Sequence, residues 1–303
     1  MILMLWDSLR IDCVEPLKGI FPEETWSQYR TIEGFTAPVI ASTMTGKTPE
    51  ELGLPRDTSA FWQSIDPNKI DDMLFDHFDS HISIGRLIGP GSEICPLPPS
   101  RQGKFKILPP IDWNAVSNWD IDIFTYLGRK WSCATDDWWD LIYWHSFVTH
   151  GPWSIYDSMG SAESPEVVNC DRLMQRLAAT DPKALMDWYM KGVKYAAASL
   201  RNLNAICGGK ETIICFADHG EALGEEINGR QATGHFAGMH NHPVLGTVPI
   251  WINRDEKIPE DINNLNMKDW IVKMYEKYEK NNPEYQQWKR NYSTKKLNPK
   301  IGD

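Results

Sequence analysis

Three short, mostly apolar segments constrain the fold of this chain more than any other feature of its sequence. They are "ILMLW" at 2–6, which precedes Asp7, a segment at 140–148, and a segment at 212–216 that leads to Asp218. A continuous apolar run bounded by polar residues is typical of a central parallel strand, because both faces of such a strand are covered. "TVPIWIN" at 247–253 predicts a further strand.

Helical patterns separate these strands. At 182–207, apolar residues recur three and four positions apart, with Asp181 as a capping residue before Pro182 and two glycines after the segment. A second helix is predicted within "GFTAPVIASTMTG" at 34–46, where Pro38 suits the first turn and Gly46 ends the segment. Strands that alternate with helices predict an α/β fold, in which a mostly parallel sheet carries helices on both faces.

The 303 residues are predicted to form one domain. Between 55 and 140 the pattern weakens and includes the Pro- and Gly-rich stretch "GPGSEICPLPPS", so we expect an insertion or cap region there. The tail at 268–303 is predicted to be helical and then polar and lysine-rich.

Charge and hydropathy exclude some classes of function. A net charge of −10 argues against a nucleic-acid scaffold, because phosphate contacts need clustered Lys and Arg. No run reaches the roughly 18 residues of a membrane span, and the apolar N-terminus lacks the basic flank of a signal peptide. We therefore expect a cytoplasmic protein without a membrane span, and homo-oligomerisation stays possible. Six cysteines without a CxxC pair indicate reduced, buried thiols.

Candidate site residues cluster at predicted strand ends. Ligands of open α/β sheets bind beyond the carboxyl ends of the strands, and Asp7, His150, Asp218 and His219 lie there. Thr36 is predicted at a helix N-terminus, where unpaired N–H groups favour anions. Asp and His suit zinc or manganese, and such an ion makes a bound hydroxyl easier to deprotonate. Taken one at a time, a plain helix cap at Thr36 and a simple turn at "DHG" remain open.

The order and spacing of four segments resemble a known family. "LMLWDSLR", "FTAPVIASTMTGKTPEELGL", "HSFVTHGPW" and "IICFADHGEALGE" followed by "VPIWI" are similar to the sulfatase branch of the alkaline phosphatase superfamily, over roughly residues 1–54 and 140–252. The resemblance implies an alkaline-phosphatase-like three-layer sandwich. It also implies one divalent ion, zinc or manganese, whose ligands would be Asp7, Thr36, Asp218 and His219.

Departures from the family pattern narrow the expected chemistry. Formylglycine sulfatases need Cys or Ser at the nucleophile position, with Pro two residues later and Arg four residues later, whereas this chain has Thr36, Pro38 and Ile40. Threonine cannot become the aldehyde, so the resemblance points to threonine-bearing members that cleave or transfer phosphate and phosphonate esters. Ser8 also stands where many sulfatases carry a second aspartate.

We therefore expect a metal-dependent hydrolase with a threonine nucleophile and a small anionic substrate, a phosphodiester, phosphonate ester or phosphomonoester. The alternatives are a sulfuric ester hydrolase, a phosphoryl-group transferase and a non-catalytic binding module.

The roles of the remaining histidines stay open between two readings. Two-metal relatives carry Asp-x-x-x-His in the central segment, but this chain has Ser146 before His150. In one reading His150 and His242, with His145 or His240, hold a second ion. In the favoured reading the site binds one ion, Thr36 and His150 are catalytic, and these histidines bind phosphoryl oxygens or protonate the leaving group.

Three other histidines are expected to lie away from the chemistry. His235 is predicted to be a surface loop residue. His77 and His81 are predicted to lie on a solvated helix or loop face.

Overall fold

The structure is a computed structural model that describes residues 1–55, 65, 67–84, 105–107, 139–146, 148–150 and 170–296. Most of the predicted insertion at 55–140 and the last seven residues of the tail lie outside the described residues. Within the described part, seven strands form one sheet and two more form a separate hairpin.

The central sheet is mixed but mostly parallel. In chain order the strands are β1 (Ile2–Trp6), β2 (Trp26–Arg30), β3 (His81–Ile84), β4 (Phe105–Ile107), β5 (Leu141–Ser146), β6 (Ile213–Ala217), β7 (Ala222–Ile227), β8 (Arg230–Gly234) and β9 (Thr247–Ile252). The sheet order is β2-β9-β6-β1-β5-β3-β4, and β7 pairs with β8. The five strands from β6 to β4 run parallel, whereas β9 is antiparallel to both of its neighbours. The predicted α/β class is confirmed.

Burial shows that both faces of the sheet are covered. Successive side chains of a strand point to opposite faces, and all five side chains of β1 are fully buried. The flanking strands β5 and β6 are buried along their whole length as well. Layers of protein therefore lie on each side of the sheet, as expected for a sandwich of this class.

Helices surround the sheet. They are α1 (Thr36–Thr45), α2 (Pro49–Leu52), α3 (Cys170–Thr180), α4 (Pro182–Cys207), α5 (Pro243–Gly246), α6 (Met267–Tyr275) and α7 (Pro283–Lys296), with a π-helical turn at Glu276–Lys280. Four of them, α1, α4, α6 and α7, lie in segments that were predicted to be helical. The longest helix, α4, begins after Asp181, whose carboxylate accepts a hydrogen bond from the Ala184 N–H, and it ends at Gly208 in the left-handed region. Among the described helices, none has the length and apolar character that crossing a bilayer requires.

Two parts of the sequence fold differently from the prediction. His81 is not on a solvated face: it is 3% exposed in β3, and its ring stacks on Phe75 with centroids 4.9 Å apart. The glycine- and histidine-rich segment after His219 is not all loop, because it contains the β7–β8 hairpin. Buried thiols are confirmed for Cys13, Cys207 and Cys215. The side chains of the other three cysteines are not described.

Truncation of the central strand should cost much of the stability of the fold. Leu5→Ala removes a fully buried side chain of β1, and the expected loss is about 2–5 kcal/mol because the closely packed sheet cannot collapse onto the space. Leu265→Ala is the matched control, since Leu265 is 37% exposed and its truncation should change stability by less than about 0.5 kcal/mol. Urea denaturation measures both, and equal effects would contradict the assigned packing.

Candidate active site

The register of the sheet brings two aspartates together. Trp6, the last residue of β1, pairs with Ser146 of β5 on one side and with Ala217 of β6 on the other. The next residues, Asp7 and Asp218, therefore leave adjacent strands at the same edge. Both side chains are buried, at 2% and 0% exposure.

Thr36 lies at the first position of helix α1. The N-cap is Phe35, so Thr36 is not a cap, and its side chain is 2% exposed. Oγ1 of Thr36 lies 3.1 Å from Nε2 of His219 and 3.3 Å from Oδ2 of Asp7. A buried hydroxyl at a helix N-terminus thus contacts two of the side chains, Asp7 and His219, that the family resemblance implies as ligands of one ion.

The hydrogen bond of His219 determines which ring nitrogen faces the site. Nδ1 lies 2.8 Å from the carbonyl oxygen of Gly220, and because a carbonyl only accepts, Nδ1 carries the proton. Burial, assisted by the charge of His235, lowers the pKa of His219 to about 3, so the ring is neutral near pH 7. Nε2 then presents a lone pair to the Thr36 hydroxyl, and Oδ2 of Asp218 lies 3.4 Å from the same nitrogen.

The two buried carboxylates differ in their tendency to ionise. Burial opposes the charge on Asp7, but His150, His145 and His219 together hold its pKa well below the usual range. Burial raises the pKa of Asp218 well above its usual range, and the adjacent charge of Asp7 raises it further. A cation between the two carboxylates would favour the ionised form of both.

The donor atoms at this edge fit a divalent cation. Oδ2 of Asp218 is buried and forms no hydrogen bond with a described residue, and the Nε2 lone pair of His219 points into the same space. Carboxylate oxygens with a neutral imidazole, whose other nitrogen donates to a carbonyl, are the usual ligands of zinc and manganese. Asp7, His145 and Asp218 also form one of two side-chain groups close enough to hold an ion among the described residues.

Ser8 connects the two carboxylates, a role that the sequence did not reveal. Its backbone is left-handed (φ 65°), which is uncommon for a residue other than glycine. In this conformation the Ser8 N–H donates to Oδ1 of Asp218 at 3.0 Å, and its hydroxyl donates to Oδ1 of Asp7 at 3.0 Å. The Tyr189 hydroxyl in turn donates to the Ser8 carbonyl at 2.8 Å. Ser8 therefore orients both carboxylates.

A second group of side chains lies directly beside the first. His235, which we expected in a surface loop, is 19% exposed, and its Nδ1 lies 2.9 Å from Oε2 of Glu221. Its ring centroid is 4.3 Å from that of His219 and 5.1 Å from that of His150. His235 does lie in a loop directly after β8, but its expected place at the surface, away from the chemistry, is wrong because the β7–β8 hairpin returns the chain to the site. His219, Glu221 and His235 form the second group that could hold an ion.

Electrostatics make His235 the cationic member of this group. Burial opposes its charge, but the Glu221 carboxylate outweighs burial and raises the pKa of His235 to about 9. The Glu221 pKa is lowered because His235 and His150 outweigh the effect of burial. Arg10 fixes this part of the hairpin, since Nη1 donates to the Glu221 carbonyl at 3.1 Å. The site therefore offers a positive donor next to the Thr36–His219 pair.

The remaining predicted histidines occupy two different places. His145 lies in β5, and its Nε2 is 3.1 Å from Oδ2 of Asp7, so it belongs to the first group. His240 instead lies 3.4 Å from Oε1 of Glu33, and His242 is the N-cap residue of α5 with a buried Nδ1. Within the described residues, neither His240 nor His242 belongs to a group that could hold an ion. The structure thus places His235, rather than these two, beside His150.

The loop after His235 packs tightly on the segment before Thr36. Oε1 of Glu33 accepts hydrogen bonds from the N–H groups of Gly34 at 2.8 Å and Gly238 at 2.5 Å. A Cβ atom at Gly34 would lie 2.5 Å from the Phe236 carbonyl oxygen, which is closer than real Cβ contacts. Only glycine at this position allows the two loops to approach so closely, and Glu33 bonds them together.

Solved structures with a similar fold include a sulfatase, a phosphonate monoester hydrolase and a phosphoethanolamine transferase domain. No family model and no curated protein sequence matches this chain. A 2-O GAG sulfatase superposes with a TM-score of 0.60 at 14% identity, covering 91% of this chain and 70% of that one. The phosphonate monoester hydrolase of Agrobacterium radiobacter gives 0.58 at 12% identity, covering 90% and 73%.

A transferase domain aligns over the greatest share of both chains among these three structures. The C-terminal periplasmic domain of phosphoethanolamine transferase EptC from Campylobacter jejuni has a TM-score of 0.52 at 16% identity, and covers 99% of this chain and 94% of that domain. These likenesses confirm the alkaline-phosphatase-like, sulfatase-type fold that the sequence motifs resembled.

Proposed function

We propose that this chain is a metal-dependent hydrolase of phosphate or phosphonate esters. The premise is the fold that it shares with sulfatases, a phosphonate monoester hydrolase and a phosphoethanolamine transferase. One observation carries the proposal: the buried hydroxyl of Thr36 contacts Nε2 of His219 and a carboxylate oxygen of Asp7 at the start of a helix. Threonine at this place supports phosphoryl chemistry, because it cannot form the aldehyde nucleophile of a sulfatase.

Thr36 would act as the nucleophile. Its Oγ1 attacks phosphorus, the bond from phosphorus to the ester oxygen breaks, and a phosphothreonine forms. Negative charge on the phosphoryl oxygens is stabilised by N–H groups of the first turn of α1, which have no acceptor within the helix. Pro38 supplies no N–H, so the donors come from the residues around it.

The ligands of the proposed ion are Asp7, Asp218 and His219 together with the Thr36 oxygen. When bound there, a divalent ion such as zinc or manganese lowers the pKa of the hydroxyl and offsets the charge of the substrate. Ser8 holds the two carboxylates in place, and the Gly220 carbonyl keeps the lone pair of His219 directed inward.

His235 and His150 would serve the leaving group. His235 carries a proton near neutral pH, because Glu221 stabilises its cation. It would bind a phosphoryl oxygen or protonate the departing ester oxygen, with His150 beside it. This arrangement supports the one-ion reading of the sequence, and occupation of the second group by an ion is the alternative to it.

Transfer to an alcohol is the second candidate function. The alignment over 99% of this chain and 94% of a phosphoethanolamine transferase domain favours it. The same phosphothreonine would serve both reactions, because water or an alcohol can resolve it. Product analysis in the presence of glycerol separates the two. A glycerol ester of the transferred phosphorus group identifies a transferase. The same group with a hydroxyl from water, which is phosphate from a monoester, a phosphomonoester from a diester or phosphonate from a phosphonate ester, identifies a hydrolase.

A panel of nitrophenyl esters tests the proposed class. The full chain is loaded with Zn²⁺ or Mn²⁺ and assayed with nitrophenyl phosphate, a nitrophenyl phosphodiester, a nitrophenyl phosphonate and nitrophenyl sulfate. We expect turnover of at least one phosphorus ester at a rate at least about 100-fold above the sulfate, and loss of turnover on chelation. Preferential sulfate turnover would refute the phosphoester assignment, and an inert protein without bound metal would support a binding module.

A further inference from the structure

The side chain of Glu33 bonds two parts of the candidate active site, yet none of the proposed steps uses it. Glu33 is 0% exposed and lies three positions before Thr36. Its Oε1 accepts hydrogen bonds from the Gly34 N–H and the Gly238 N–H, whereas its Oε2 is buried without a hydrogen-bond partner among the described residues. Burying a carboxylate whose second oxygen has no partner opposes folding. Stability alone therefore does not explain a glutamate at this position.

The loop that Glu33 holds begins at the candidate active site. It spans residues 236–242, directly after His235, and leads into helix α5. This helix lies beside the site as well, because the Leu245 carbonyl accepts a hydrogen bond from the Gly220 N–H at 2.9 Å. Both ends of the 236–242 loop are therefore fixed, and the bond from Glu33 fixes its middle.

The hydrogen bonds of Glu33 connect the proposed nucleophile to the proposed leaving-group histidine. Thr36 lies three residues after Glu33, and Gly238 lies three residues after His235. Three residues span at most about 10 Å even when extended, so the bond between Glu33 and Gly238 limits how far the two reacting side chains can move apart. The ion pair of His235 with Glu221 orients the imidazole without involving the segment that carries Thr36.

Small displacements matter at such a site. A general acid must lie within hydrogen-bond reach of the departing oxygen while the nucleophile is aligned with phosphorus, and a misplacement of about 1 Å can cost about 100-fold in rate. A metal role for Glu33 has no support, because among the described residues it belongs to no group that could hold an ion. One acceptor oxygen makes both hydrogen bonds, so a glutamine should serve as well.

We infer that Glu33 is a positioning residue of the proposed reaction, which holds His235 at its working distance from Thr36 through the backbone of Gly238. The inference rests on the proposed function for the roles of Thr36 and His235. It assigns a task to a buried carboxylate that is neither a proposed ligand nor a reacting group.

Two substitutions at Glu33 separate its acceptor oxygen from its charge. Glu33→Leu keeps a similar volume but removes the acceptor, and Glu33→Gln keeps an acceptor oxygen. With the phosphorus ester that the nitrophenyl panel identifies, we expect kcat/KM to fall by about 30-fold or more in Glu33→Leu and to stay within about 3-fold in Glu33→Gln. Thermal denaturation checks that the compared proteins are folded at the assay temperature. Full activity of Glu33→Leu, or equal losses in both variants, would overturn the inference.

A double-mutant cycle tests whether Glu33 acts through His235. If it does, the Glu33→Leu/His235→Ala variant should have a kcat/KM within about 3-fold of that of His235→Ala alone. Asn264→Leu is the matched control, because Asn264 is buried, accepts a hydrogen bond from the Ile32 N–H at 2.8 Å on the same segment, and donates its amide to Thr43. Any loss in Asn264→Leu should multiply with the loss in His235→Ala. Losses that multiply for Glu33→Leu as well would contradict action through His235.

Hydrogen exchange gives a readout that needs no turnover. In the full chain, we expect the Gly238 amide to exchange at least about 100-fold more slowly than in an unstructured peptide, both in the wild type and in Glu33→Gln. Loss of the acceptor in Glu33→Leu should raise the exchange rate of this amide by about 10-fold or more. Rapid exchange of the Gly238 amide in the wild type would overturn the inference even if Glu33→Leu did not fold.

The nitrophenyl panel keeps this inference separate from the proposed function. Turnover of a phosphorus ester that Glu33→Leu leaves unchanged would refute only the positioning role. A wild-type protein that turns over no phosphorus ester would refute the proposed function, and a slowly exchanging Gly238 amide would then support only the contact between Glu33 and the loop.

Discussion

Thr36→Ala is expected to lower kcat/KM for nitrophenyl phosphoesters by about 10⁴-fold or more. The variant removes the one oxygen that contacts both Asp7 and His219, so no covalent intermediate can form and only binding and charge stabilisation remain. Thr36→Ser keeps the oxygen and should retain activity within about 100-fold of the wild type, because only the methyl group that orients the hydroxyl is lost. Steady-state kinetics on the metal-loaded proteins measures both variants.

Thr45→Ala is the matched control for this experiment. Thr45 lies at the other end of the same helix, is 3% exposed, and donates its hydroxyl proton to the Ala41 carbonyl at 2.7 Å. Loss of this hydroxyl should leave kcat/KM within about 3-fold of the wild type. Thr45 lies at the far end of α1 from Thr36, so its substitution affects the stability of the fold more than the chemical step. If Thr36→Ala retained more than a tenth of wild-type activity, the nucleophile assignment would fail.

Asp218→Asn is expected to weaken metal binding and, at the same time, to stabilise the metal-free fold. The change replaces a proposed ligand by a neutral group of the same shape, so Zn²⁺ affinity should fall by more than about 100-fold. The metal-free variant should nevertheless be more stable than the metal-free wild type at pH 7. Burial and the charge of Asp7 raise the Asp218 pKa, so the ionised carboxylate opposes folding at every pH above its unfolded pKa.

Thermal denaturation with and without Zn²⁺ measures both effects. The metal-free variant should melt about 2 °C or more above the metal-free wild type, and excess Zn²⁺ should stabilise the wild type but not the variant. Asp140→Asn is the matched control, since Asp140 is 7% exposed but lies at the opposite end of β5, where it pairs with Lys289. Equal Zn²⁺ stabilisation of wild type and Asp218→Asn would remove Asp218 from the ligand set.

The central part of the site could be predicted from sequence because strand ends determine it. An apolar run that stops at Asp7 and another that stops just before Asp218 place both residues at the same edge of a parallel sheet. Thr36 was predicted at a helix start from Pro38 and Gly46, and α1 begins at Thr36. These signals are local in the sequence, and the parallel pairing of the strands places the residues that they mark close together in space. The roles of these residues as ligands and nucleophile stay predictions.

The second group could not be predicted because it depends on long-range pairing. Glu221 and His235 are separated by 14 positions, and only the hairpin between them brings them within hydrogen-bond distance. The sequence did contain one signal, the Asn228–Gly229 pair, which is typical of a tight hairpin turn. Without that hairpin His235 had no visible partner. Ser8 was also missed, since a left-handed backbone at serine leaves no trace in composition.

Strand β1 has a consequence for the way the proposed ion would be held. Its N–H and carbonyl groups are bonded on both sides, to β5 and to β6, and the residue after it carries one of the proposed ligands. Amide hydrogens at this position should therefore exchange with solvent about as slowly as the whole molecule unfolds. After a chelator removes the ion, the proposed ligand residues should stay in place. The ion can then be lost and bound again reversibly, without refolding of the chain.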